Sequence, residues 1–222
     1  RLKKYDEALR YYRESLEIKK KIDDKRGVSS SLSEIGQVYQ FTDRYDEALK
    51  AHQQALTISS EIGDKKGIGD DLNNLGLLME QLGRYDEALT YYKRALNIAI
   101  ERGARDEIAL RLGNIGQVYS QLGQYEDAYA YFTRELEERR AIGDKRGIAN
   151  SLVGIGDLLV SQGRYDDALK HHLEALSLWR EIGESKGVAL TSLSIADVFE
   201  AQGRYSAALK SAIAAEVTVK AL

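Results

Sequence analysis

The sequence predicts an all-α protein, an α-solenoid of antiparallel helical hairpins. Three observations carry that reading. A Tyr-Asp-Glu-Ala-Leu pentapeptide, intact from Tyr85 to Leu89, recurs every forty residues, its tyrosine returning as Tyr5, Tyr45, Tyr85, Tyr125, Tyr165 and Tyr205. Its alanine returns as Ala8, Ala48, Ala88, Ala128, Ala168 and Ala208. A fixed period of this size marks units that bury their apolar faces only against their neighbours. Between pentapeptides the apolar residues follow helical spacing, and proline is absent while glycine stands at the breaks.

The elements follow in order. A lone second-type helix is expected at residues 3–22, and hairpins at about 25–62, 65–102, 105–142, 145–182 and 185–222. The hairpin from Lys65 to Arg102 shows the logic. Asp64, like Asp24 and Asp144, precedes its first helix as an N-cap. Leu72, Leu75, Gly76, Met79 and Leu82 then form one stripe of that helix. Gly83 offers a left-handed stop. Asp86 and Glu87 open the second helix, where carboxylates suit the positive end of the dipole. Its stripe is Tyr85, Ala88, Leu89, Tyr92, Ala95, Leu96 and Ala99, and Gly103 closes it. A helix-interior glycine costs roughly 1 kcal/mol against alanine. The recurrence of Gly36, Gly76, Gly116 and Gly156, with Ala196 in the fifth hairpin, therefore predicts a close contact between backbones.

Composition narrows the function. Apolar residues make up 43% and charged residues 30%, the balance of a folded, soluble chain. Net charge is −3 with no basic block, which argues against nucleic acid as a partner. No apolar run is long enough to span a membrane, and no signal-peptide pattern opens the chain. Cysteine is absent, which excludes disulfides and thiolate metal sites. A cytoplasmic location is the simplest expectation, and no cofactor is implied.

The pattern resembles the tetratricopeptide repeat over the whole chain. The family's small residue after an aliphatic one appears as Leu75-Gly76. Its aromatic slot three residues later holds Tyr39 and Tyr119, and its second helix carries Ala88, Tyr92 and Ala95. The resemblance implies a single right-handed α-solenoid of about eleven helices. Two features depart from the family: the usual period is 34, and the proline between repeats is missing. A Gly-Asp-Lys-Arg/Lys-Gly connection, as at Gly63 to Gly67 and Gly143 to Gly147, lengthens each unit. The longer unit is similar to that of Partner-of-Inscuteable-type adaptors, kinesin light chains and bacterial peptide-sensing regulators. It implies a protein-interaction scaffold that takes a peptide or protein segment along a concave groove.

The groove face is the stripe opposite the core stripe of each first helix. In the second hairpin it comprises Asp70, Asn73, Asn74, Leu77, Glu80 and Gln81. Reading five hairpins gives thirty positions, none of them lysine, arginine or histidine, although Lys and Arg supply 32 of 222 residues. Six are acidic, including Asp70, Asp157 and Asp197, and nine are amides, including Gln37, Asn73, Asn74, Asn114, Gln117 and Asn150. Either such helices are simply poor in long basic side chains, or the face is selected for its partner. An amide both donates and accepts, so it can hold a ligand backbone whatever the ligand's sequence. Asn74 and Asn114 occupy the same slot of successive units. Carboxylates favour lysine or arginine on the partner, and Leu110, Val153, Val160, Leu190 and Leu193 make the later half more apolar. The expected peptide-binding residues are Gln37, Asp70, Asn73, Asn74, Leu77, Asn114, Gln117, Asn150, Asp157 and Asp197, and the expected partner is a neutral to basic segment.

Other modes fit less well. Tetratricopeptide co-chaperones clamp a terminal carboxylate with groove lysines and arginines, which are missing here. The spindle-orientation adaptors place arginine one turn before the asparagine, where this chain has Asp70 and Leu110, with Arg111 beside the second slot. Catalysis has no support: His52 and His172 fill the packing slot of Tyr92 and Phe132, and His171 and His172 point apart on a helix. Trp179 shares a slot with Ser59, Ala99 and Arg139, which predicts partial exposure. Ala104 and Glu107 break the connection pattern, and Tyr129 and Glu135 replace the usual leucine and alanine. The chain starts mid-repeat and ends on an apolar helix with Ala212, Ile213, Ala214, Ala215, Val217 and Val219. That suggests a fragment of a longer protein, such as a regulatory sensor domain, or a structural element that self-associates end to end.

Overall fold

The computed structural model describes residues 2–220, and side chains from Lys4 to Val217. Eleven α-helices and no strands occur among the described residues. They are α1 (Leu2–Lys21), α2 (Lys25–Phe41), α3 (Tyr45–Glu61), α4 (Lys65–Gln81), α5 (Tyr85–Arg102), α6 (Arg105–Gln121), α7 (Tyr125–Ile142), α8 (Lys145–Ser161), α9 (Tyr165–Glu181), α10 (Ser185–Ala201) and α11 (Tyr205–Lys220). The expected ends of the last hairpin at Ala221 and Leu222, and the side chain of Val219, lie outside the described residues. The chain forms two compact units, one up to Glu107 and one from Ile108. The division falls in the first turn of α6, beside the irregular connection at Ala104.

Each helix begins and ends for reasons written locally. The carboxylates of Asp24, Asp64 and Asp144 accept the amide hydrogens of Gly27, Gly67 and Gly147 at 2.9, 3.3 and 2.9 Å. Each satisfies a donor that the helix itself leaves open. Second helices have no such side-chain cap; instead Arg44, Arg84 and Arg164 pair with an acid three residues on, at 2.7, 2.7 and 2.9 Å. Gly83 ends α4 at φ 70° and Gly103 ends α5 at φ 65°. In the first turns of the chain Asp23 and Asp43 take the same conformation, at 55° and 58°.

In the first unit α2 packs on α3, α3 on α4, and α4 on α5. In the second, α8 packs on α7 and α9, and α10 on α9 and α11. The recurrent glycine of the first four hairpins serves a ring, which corrects the expectation of touching backbones. A Cβ at Gly76 would lie 2.5 Å from Cε1 of Tyr92, and one at Gly156 would lie 2.5 Å from Cε1 of His172. Gly36 meets His52 and Gly116 meets Phe132 in the same way. All four rings are buried. Desolvation holds the imidazoles of His52 and His172 down at about 4, so both are neutral at physiological pH. Leu82 leaves the expected core stripe: it caps α4 and is exposed.

Within each unit, successive hairpins meet across seams whose contents change from one to the next. At the first seam the Lys19 ammonium donates to the Ser31 hydroxyl at 2.8 Å. At the next, the Asp71 carboxylate is 2% exposed and accepts hydrogen bonds from Ser33 and, at 2.8 Å, from Ser59. Burial pushes the Asp71 carboxyl up, while the serine hydroxyls hold it back. Trp179 belongs to such a seam, packed against Gly187 and 5% exposed, so the partial exposure expected for it is corrected. Its neighbours in the same slot vary because each seam is filled differently. Exposed pairs join the two helices of single hairpins, Lys65 with Glu101 at 2.9 Å and Lys145 with Glu181 at 2.5 Å, whereas Arg26 with Asp64 and Arg146 with Glu184 pair across seams.

Candidate segment-binding face

Each first helix, α2 and α4 in the first unit and α6, α8 and α10 in the second, carries a stripe opposite its core face. Of the thirty positions only Asn73 is buried, and the rest are at least partly open. In the first unit Gln37 and Leu77 are exposed, while Asp70 and Asn74 are half-buried. Two carboxylates here are engaged by tyrosines: Tyr92 donates to Glu80 at 2.9 Å, and Tyr12 bonds Glu34.

The second unit brings more of the expected residues together. Asn114, Gln117 and Asn150 line one cavity of about 300 Å³, whose wall also includes Gly113, Gly154, Phe132 and Glu135. Glu135 was outside the expected set, and its side chain is only 12% exposed. Burial pushes its carboxyl up, and Ser151 and Arg139 draw it back. The visible signal was its place in a slot that otherwise holds Ala55, Ala95 and Ala175. Arg111, expected beside the groove, is 2% exposed. A second cavity of about 260 Å³ also touches Asn150; its wall includes Val153, Trp179, Gly187 and Leu190 together with the charged Arg146, Glu184 and Lys186.

Further along, Asp157 and Asp197 share a slot on α8 and α10. Partial desolvation and then the charge of Asp197 push the Asp157 carboxyl up to about 6. The Asp157 side chain is nevertheless 60% exposed, and its nearest ring nitrogen, Nε2 of the neutral His172, stands 3.6 Å away. No basic side chain on this stripe offsets either carboxylate. Among the described residues no cluster of His, Cys, Asp or Glu could hold a metal ion, and no helix is long and apolar enough to cross a membrane.

The sequence profile of the tetratricopeptide repeat matches residues 1–61, 71–141, 107–171 and 147–212. The chain is a tetratricopeptide repeat protein. Its repeats are forty residues long, and the helical hairpins are the repeat units. Solved structures with the same repeat fold include BtubC (BKLC) from P. vanneervenii, 21% identical, with a TM-score of 0.89 over 98% of this chain and 91% of that one. A STAND protein of Pyrococcus horikoshii with a tetratricopeptide repeat sensor aligns at 22% identity and TM-score 0.80, over 96% of this chain. This chain spans only 34% of that protein's length. A Rap protein in complex with competence and sporulation factor aligns at 15% identity and TM-score 0.74, over 98% of this chain and 70% of that one. No curated protein sequence matches the repeats.

Proposed function

We propose that this tetratricopeptide repeat protein is an interaction scaffold. It holds a neutral to basic peptide or protein segment against the first-helix stripe. One observation carries the reading: the open stripe offers amides and carboxylates but no basic side chain, while Arg26, Lys65, Lys145 and Arg146 on the connections are ion-paired. Amides at Gln37, Asn74, Asn114, Gln117 and Asn150 would bond a segment's backbone, and Asp70, Asp157 and Asp197 would favour its cations. Leu77 supplies apolar contact, and Asn73 would act from beneath the surface. The Rap complex gives the reading a precedent in a protein of the same fold. Isothermal titration with matched Lys-rich and Glu-rich peptides tests it: the Lys-rich peptide binds more tightly, and preference for the Glu-rich one contradicts it.

A further inference from the structure

The most unusual place on this surface is a compensated exchange within the third hairpin. Every other complete repeat before the last has alanine where α7 has Glu135. The facing position on α6 is Ser33, Asn73, Val153 or Leu193 elsewhere, but Gly113 here. A Cβ at Gly113 would stand 2.9 Å from a Glu135 carboxylate oxygen, so the glycine makes room for the acid. Across the cavity Gly154 replaces the Asn74 and Asn114 of its slot, and a Cβ there would meet nothing within 4 Å. Two missing side chains thus open the way to one buried carboxylate.

That carboxylate is incompletely neutralised. Arg139 lies 3.6 Å from Glu135, but its guanidinium also donates to Asp144 at 2.9 Å. One cation serves two carboxylates. The nearby Arg140, Lys145 and Arg146 are bound to Glu174, Glu181 and Glu184. Buried charge is costly without a partner, and no packing need explains it, because alanine serves in the other hairpins. Beyond Asn150 the neighbouring cavity is walled by Val153, Leu190 and Trp179, whose indole N–H has no hydrogen-bond partner, and also by Lys186, Thr191 and the Arg146–Glu184 ion pair.

We propose that the two cavities flanking Asn150 form a bipartite specificity site for one extended segment. The Glu135 cavity takes an arginine or lysine side chain, and the Trp179 cavity takes a bulky apolar side chain close to it in sequence. Asn150, between them, bonds the segment's backbone. This inference rests on the reading of the stripe as a segment-binding face, and it adds a sequence preference to that reading.

The test uses nonapeptides randomised at their central positions, captured on the immobilised full chain and sequenced by mass spectrometry. Wild type enriches peptides carrying Arg or Lys within two residues of Leu, Ile, Phe or Tyr. Glu135→Gln lowers the basic enrichment at least ten-fold and leaves the apolar enrichment in place. Gly154→Leu, whose side chain grows into open space, removes the basic enrichment without lowering the melting temperature. Basic enrichment that survives Glu135→Gln but falls with Asp157→Asn/Asp197→Asn overturns the bipartite site and leaves the general reading standing. Enrichment of acidic peptides, or capture of none, overturns both.

Discussion

Gly76 and Gly154 are both glycines in the middle of first helices, yet they answer different demands. A methyl at Gly76 would press into the buried ring of Tyr92. Gly76→Ala should therefore destabilise the protein by about 1–3 kcal/mol in urea melts, overpacking outweighing the better helix propensity. Gly154→Ala should stabilise by about 0.5–1 kcal/mol, since propensity acts there without a clash. The sequence showed that small residues recur but not what fills the space they leave, so the ring contacts were misread as backbone contacts. His52 carries a second residue-scale prediction. Its folded value near 4 lies below the ordinary 6.5, so the unfolded chain takes up its proton first as pH falls. Stability is then lost between pH 6.5 and 4, by about 3 kcal/mol at the acid end. His52→Phe, which copies Phe132, should flatten that limb relative to wild type in thermal melts. The raised Asp71 carboxyl works in the opposite sense but is common to both proteins.

At the scale of the element, the helix starts were legible because capping is local. Asp64 binds the Gly67 amide, whereas Glu184 at the same position of the fifth hairpin makes no side-chain cap. Asp64→Ala should cost about 1 kcal/mol in chemical denaturation. Glu184→Ala should cost only a few tenths, since its exposed Arg146 pair contributes little. The seams were not legible. Asp71 fell between the two stripes of its helix wheel, and Trp179 was compared with Ser59, Ala99 and Arg139 as though they shared a surface. Ser59 and Trp179 instead lie in buried junctions, and what fills each depends on the facing helix.

For the whole molecule, the forty-residue period made the solenoid class readable, and the openness of the first-helix stripe followed from the same register. The cavity at Glu135 did not, because it needs Gly113, Glu135 and Gly154 from three helices at once. Binding should carry the mark of the acidic stripe. Asp157 ionises near pH 6, so affinity for a basic segment should rise between pH 5 and 7 and then level off. Added salt should weaken it. An affinity that is flat across that pH range would remove Asp157 from the site. The most direct measurement is a ¹⁵N–¹H NMR titration of the labelled chain with a Lys-rich peptide. Shift changes should concentrate at Asn114, Gln117, Asn150, Gly154 and Asp157. Changes concentrated instead on the exposed faces of second helices, such as Thr90, Lys93 and Asn97, would contradict it.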